Sequence, residues 1–167
     1  MTAAFEYRIA RAEDLPEIVA IYNSTVASRQ VTADTEPVTI ESRRQWFAEH
    51  TPERRPLWVH ERHGQIVAWL SFSNFYGRPA YSGTVELSVY VHEAARGQRI
   101  GQRFLDAAMR HAPEIGAHTL LGFIFGHNEP SLKLFERNGF ATWAHLPQVA
   151  VLDGIARDLK ILGKRVA

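Results

Sequence analysis

A chain of 167 residues, 46% apolar and 22% charged, is long enough for one compact domain with a sizeable core and short for two. A net charge of +1 and scattered basic residues argue against a nucleic-acid or anionic-membrane surface, and Arg43-Arg44 and Arg54-Arg55 read as solvated faces. The absence of cysteine excludes disulfides, thiolate metal sites and a cysteine nucleophile, and the eight histidines show no metal-binding spacing, so no metal is expected. No apolar run reaches membrane-spanning length and no secretory signal pattern opens the chain, so a cytoplasmic protein is expected.

Tyr7-Arg-Ile-Ala10 is a short strand candidate. Asp14 or Glu13 is placed to cap the helix after it, whose inner face is Leu15, Ile18, Val19 and Tyr22. Residues 28–39 read as a loop. A second helix is expected over residues 40–50, anchored by Trp46 and Phe47 and stopped by Thr51-Pro52. Leu57 to Glu61 and Gln65 to Ser73 read as strands joined at Arg62-His63-Gly64, and residues 75–80 as a turn-rich loop. Thr84 to Val91 is the central strand. Ile100 to His111 is an amphipathic helix with Ile100, Phe104, Leu105, Ala108 and Met109 on its buried stripe.

Thr119 to Phe125 is an almost unbroken apolar run, the pattern of a strand covered on both faces. Asn128 or Ser131 opens another helix, which Gly139 closes. Two last strands, Ala141 to Leu152 and Ile155 to Leu162, meet at the hairpin pair Asp153-Gly154. The order is β-α-α-β-β-β-α-β-α-β-β, a single α/β (α+β) domain with a mixed sheet.

The stretch from Thr84 to Gly101 is the most informative. A strand runs into the turn Arg96-Gly-Gln-Arg-Ile-Gly101 and then directly into a helix, which leaves unpaired N–H groups and positive potential where a phosphate or pyrophosphate can sit. Neither the Rossmann fingerprint nor the P-loop is present. Alternation along the strand puts Glu86 on one face with Thr84, Ser88 and Tyr90, opposite Val85, Leu87, Val89 and Val91. That polar face is either solvent or an active-site cleft. In a cleft, Glu86 is a carboxylate whose pKa can rise toward neutrality, which suits a general base.

Strand–Arg-Gly-x-x-Ile-Gly–helix, with Asn128-Glu-Pro-Ser131 and Leu134-Phe-Glu-Arg-Asn-Gly-Phe140 downstream, resembles the acetyl-CoA-binding core of the GNAT superfamily of N-acetyltransferases. Further segments are similar to its phosphinothricin acetyltransferase-like group: Ile21-Tyr-Asn23, Thr32 to Pro37, Gly77 to Tyr81, Thr84 to Val91 and Asp158 to Gly163.

The resemblance implies a mostly antiparallel mixed sheet flanked by helices, in one GNAT-like domain. It implies that a splayed strand at Ser88, Val89 and Tyr90 holds the pantetheine arm and that amides of Arg96, Gly97, Gln98, Arg99, Ile100 and Gly101 hold the pyrophosphate. Arg99 stands where members often carry glycine, and a helical φ there would still let its amide bind. Asn128 and Ser131 match positions near the cofactor and are equally ordinary helix caps. Phe135 replaces the tyrosine that protonates the leaving thiolate in many members. Tyr90 and Tyr81 are the substitutes within the chain, unless water serves or no acid is needed.

For the acceptor, the resemblance implies a pocket of Phe75, Tyr76, Gly77, Arg78, Val85, Glu86 and Leu87, with Arg78 available for a substrate carboxylate and Tyr22 and Asn23 as further candidates. The expected activity is direct acetyl transfer from acetyl-CoA to a small amino-acid-like amine of the phosphinothricin, methionine sulfoximine or methionine sulfone type, Glu86 serving as base. Polyamine or protein acceptors, or a non-catalytic acyl-CoA sensor, are the alternatives. Homodimerisation through the apolar tail strands fits the resemblance.

Overall fold

A computed structural model describes residues 4–167. One seven-stranded sheet has the order β1-β2-β3-β4-β5-β7-β6. Its strands are β1 (Arg8–Ile9), β2 (Leu57–Arg62), β3 (Gln65–Asn74), β4 (Thr84–Val91), β5 (Thr119–Phe125), β6 (Ala141–Leu152) and β7 (Ile155–Arg165). The helices are α1 (Leu15–Val26), α2 (Arg44–Ala48), α3 (Ile100–His111) and α4 (Glu129–Arg137). Every pairing is antiparallel except β4 with β5, so the expected mixed, mostly antiparallel α/β fold is what forms.

Sheet alternation builds two apolar layers. On one face Leu70, Phe72, Val85 and Leu87 meet Phe104, Leu105 and Ala108 of α3 and Phe135 of α4. On the other, Val59, Ile66 and Trp69 meet Ile18 and Ile21 of α1. Fully burying each large side chain contributes roughly 1.5–3 kcal/mol. Trp69 is also tied by its indole N–H, which donates to the Ile18 carbonyl at 3.0 Å inside the core.

Hairpin chemistry sets the register. His63 and Gly64, then Asp153 and Gly154, take positive φ in both central turn positions (53° and 76°; 53° and 80°), as a two-residue turn matched to strand twist requires.

Three local expectations are corrected. Asp14 does not cap α1; its carboxylate accepts from the Arg11 amide at 2.7 Å and pairs with Arg8 at 2.7 Å, closing a 3-10 turn ahead of the helix. The helix expected over 40–50 is a 3-10 turn at Glu41–Arg43 followed by the short α2, because few side chains here have a core to pack against. β5 is buried except at Phe123, which stays 37% exposed where its neighbour strand departs. Among the described residues no helix is long and apolar enough to cross a membrane.

That departure is the feature that positions the site. β4 pairs with β3 along its length, from Asn74↔Val85 to Ala68↔Val91, but with β5 only from Thr84↔Thr119 to Glu86↔Leu121. Beyond Glu86 the two strands separate, while β5 goes on pairing with β7 as far as Phe125↔Leu159.

Gly122, the first β5 residue past the split, lets the Phe135 ring of α4 press onto the strand. A Cβ there would lie 2.6 Å from Phe135 Cε2. Gly122→Ala should therefore cost about 1–3 kcal/mol by overpacking. Chemical denaturation would register the loss, and adding Phe135→Leu should recover part of it; additive losses would show that the contact is not the cause.

Candidate active site

Past Glu86↔Leu121 the facing edges of β4 and β5 have no strand between them, and their backbone groups need other partners. A cleft of about 570 Å³ opens there, walled by residues 87–91 and 122–124. Its other walls are the turn 96–101 and the start of α4 at Asn128, Pro130 and Ser131.

The turn owes its shape to two left-handed residues, Gly97 at φ 78° and Arg99 at φ 61°. Arg99 does not keep the helical φ expected of it. It is the N-cap of α3 and makes no side-chain capping bond, so the first amides of α3 lack a cap and the turn carrying them lines the cleft. No acid stands in the first turn of that helix. The start of α4 is satisfied differently: the buried Asn128 accepts from the Ser131 amide at 3.3 Å, so Asn128 is a cap and a cleft residue at once. Gly101 brings the helices together, since a Cβ there would stand 3.3 Å from Leu134 Cδ2. Arg96 pairs with Glu93 at 3.3 Å, and Gln98 and Arg99 are exposed.

A second cavity, about 340 Å³, lies over the polar face of β4. Its floor is Glu86, Ser88 and Tyr90 with Ser71 and Ser73 of β3, which stand opposite Ser88 and Glu86 in the ladder. Tyr22 of α1 and Trp46 of α2 line it too. Ser88 and Tyr90 line both cavities, so the two spaces share a wall.

Glu86 is half-buried, and burial alone pushes its carboxyl above the usual range, with no hydrogen-bond or charge partner opposing the shift. The Tyr90 phenol is pushed up as well, by burial first and then by Tyr22. It stays protonated at neutral pH.

The residues expected around the acceptor divide. Glu86 faces the second cavity. Leu87 and Val85 point the other way, into the α3 layer, at 3% and 0% exposure; Leu87 still touches the long cleft and Val85 lines neither space. Phe75, Tyr76 and Arg78 are exposed on a surface turn with Gly77, and none lines either of these two cavities. Instead Phe75, Tyr76 and Tyr81 pack on one another, and Phe75 on Phe123. Asn23 bonds both backbone groups of Val38, at 2.9 and 2.8 Å, holding the loop after α1.

The cavity also contains Arg43, read from the sequence as a solvated face, and Trp69, Ser71 and Ser73, which were missed. Serines spaced by two in an apolar strand were a legible sign of a polar cavity floor. Arg43 ends the 3-10 turn ahead of α2, so the regular helix expected over 40–50 could not assign it a face.

Residues 18–140 match the family model described as Acetyltransferase (GNAT) family. The chain belongs to that family. It is 56% identical over 161 residues to the Bacillus subtilis protein named "Putative phosphinothricin acetyltransferase YwnH", covering 96% of this chain and 98% of that one. It is 31% identical over 156 residues to the L-methionine sulfoximine/L-methionine sulfone acetyltransferase of Pseudomonas aeruginosa, covering 93% and 91%. The solved structure of yncA from Salmonella typhimurium with its cofactor acetyl-CoA superposes with a TM-score of 0.90 at 28% identity, covering 99% and 95%.

This GNAT chain is thus an acetyl-CoA-dependent N-acetyltransferase. The long cleft fits such a cofactor physically, with strand edges for an amide-bearing arm and an uncapped, positively polarised turn for a diphosphate. Among the described residues no group of three or more histidines or carboxylates could hold a metal.

The two left-handed turn residues should respond oppositely to substitution. Gly97 has open space around it, so Gly97→Ala tests dihedral strain alone and should lose about 1–2 kcal/mol. Arg99→Gly should be neutral or gain up to about 1 kcal/mol. Thermal unfolding of both variants would decide; equal losses would mean that side-chain contacts, not φ, dominate the turn.

Proposed function

We propose that the chain transfers acetyl from acetyl-CoA to the primary amine of a small amino-acid-like acceptor, by direct attack with Glu86 as general base. One observation carries this reading: an unpartnered, half-buried carboxylate stands in a cavity that shares a wall with the cofactor cleft. The relatives named for phosphinothricin and for methionine sulfoximine and sulfone indicate the acceptor class.

The cofactor supplies an acetyl thioester, and the residues do the rest. Backbone groups of Ser88, Val89 and Tyr90 would hold the amide-bearing arm, and amides of residues 96–101 the diphosphate, with Asn128 and Ser131 at the opposite wall. An acceptor arrives as ammonium and must lose a proton before its nitrogen can attack. Glu86 attracts the ammonium, and its raised pKa lets it take the proton, directly or through water held by the Ser71, Ser73 and Ser88 hydroxyls. Phe135 has no proton to give. A phenol raised as far as that of Tyr90 is a poor proton source, so the thiolate leaves without a dedicated acid.

Homodimerisation belongs to the same reading. β6 pairs with β7 alone and exposes Trp143, Leu146, Val149 and Val151 along an edge that a second copy could cover.

Free-thiol release over an amine panel including phosphinothricin, methionine sulfoximine and methionine sulfone tests the assignment. Glu86→Gln should cut kcat about 10²–10⁴-fold, leave coenzyme A affinity near wild type, and abolish the acid limb of the pH–rate profile. Tyr90→Phe, which keeps its stacking on Trp69, should cost less than about 10-fold. An unchanged pH profile in Glu86→Gln would remove Glu86 from this role.

The same burial has a stability consequence. The Glu86 pKa is higher folded than unfolded, so with rising pH the unfolded chain releases the proton first. Stability contributed by the neutral form is present below the ordinary carboxylate range and is lost as pH climbs through the folded value. Glu86→Gln should therefore be more stable than wild type at neutral pH and not at acid pH, as thermal melts at the two pH values would report.

A further inference from the structure

Glu86 and Arg43 are the two formally charged residues lining the second cavity, one of each sign. The Arg43 guanidinium stacks over the Tyr22 ring at 4.9 Å and donates from Nη2 to Asp34 at 3.1 Å. Tyr22 is itself anchored: its hydroxyl bonds Asp34 and Thr32, and its ring lies 5.1 Å from that of Tyr90. A cation, a ring and a carboxylate thus hold one another, and the head group cannot swing freely.

Arg43 is held but not consumed. Its Nε and Nη1 groups have no protein acceptor among the described residues. As a plain surface ion pair, Arg43–Asp34 would contribute little, at 30% and 42% side-chain exposure. A planar fork of donors fixed in a cavity wall is instead the arrangement that recognises a carboxylate, phosphinate or other planar or tetrahedral oxyanion.

We propose that Arg43 is the specificity-determining residue of the acceptor cavity, binding an anionic group of the acceptor while Glu86 receives its amine. This rests on the acceptor reading above and deepens it. Trp46 and Trp69 leave an apolar aromatic wall in the same space for the rest of the molecule. The charge layout matches a zwitterion, and a polyamine would bring a second cation against Arg43. The recognising arginine is then Arg43 in the turn before α2, not Arg78 on the exposed surface turn.

The test compares kcat/KM for methionine sulfone with that for its carboxamide, which keeps the amine and loses the charge, in wild type, Arg43→Gln and Arg43→Lys. Wild type should prefer the acid. In Arg43→Gln the acid-to-amide ratio should fall about 10- to 100-fold, mostly through KM for the acid, with Arg43→Lys between them because a point charge lacks the fork. Coenzyme A binding and thermal melts check that the variants are folded. An unchanged ratio in folded Arg43→Gln, or a wild-type enzyme that prefers the amide, would overturn the role of Arg43 while leaving the N-acetyltransferase reading intact. Turnover of neither compound by an enzyme that acetylates other amines would instead sink the amino-acid-like acceptor, and the inference with it.

Discussion

The parallel ladder between β4 and β5 spans three residue pairs, and beyond Glu86↔Leu121 each strand keeps only its outer neighbour. A sheet interior normally has no free backbone groups, because an unpaired buried amide or carbonyl costs as much as a lost hydrogen bond. Opening the sheet at its centre is tolerable only where something else can take those bonds, such as water or the amide-bearing arm of a cofactor. The opening is maintained from outside. Phe135 leans onto Gly122, Leu134 approaches Gly101, and the two helix starts stand beside the gap. The packing and the cleft therefore have one cause, the way the sheet is assembled.

The same strand carries a charge where the sheet is least able to solvate it. Glu86 sits at the last paired position, half-buried and without a partner. An ion pair would lower its pKa and neutralise its reactivity, whereas burial alone raises it toward the range in which a carboxylate can accept a proton from an ammonium. The stability given up at neutral pH is thus the physical counterpart of the basicity. Neighbouring serines offer hydroxyls without charge, leaving that balance undisturbed.

What could be read beforehand follows from how each feature is encoded. Strands β4 and β5, helix α3 and both hairpin turns were legible because period-two and helical spacing or paired turn residues specify them locally. The turn at 96–101 was legible as a strand-to-helix turn for the same reason, although the left-handed φ of Arg99 was not, since nothing in the side chain announces it. The lining of the second cavity was less legible. Arg43 and Trp46 come from the stretch 41–48 and Trp69 from β3, and they meet only because that stretch folds over the polar face of the sheet. Phe75, Tyr76 and Arg78 adjoin β3 in sequence, yet their turn stands out from the sheet and packs on itself. Val85 and Leu87 were assigned to the cavity against their own alternation, and the core layer claims them.

This asymmetry has a physical meaning for divergence within the family. The long cleft is walled largely by backbone: strand edges, turn amides and glycines that allow close approach. Most side chains along it can change without altering those groups. The second cavity is lined by side chains drawn from α1, α2, β3 and β4 and by Arg43 ahead of α2, and each replacement changes charge, shape or polarity directly. The dividing line between the two spaces is at Ser88 and Tyr90, which line both. On that division, specificity should be sought in the few side chains set by α1 and α2 against the polar face of β4, with Arg43 the first among them.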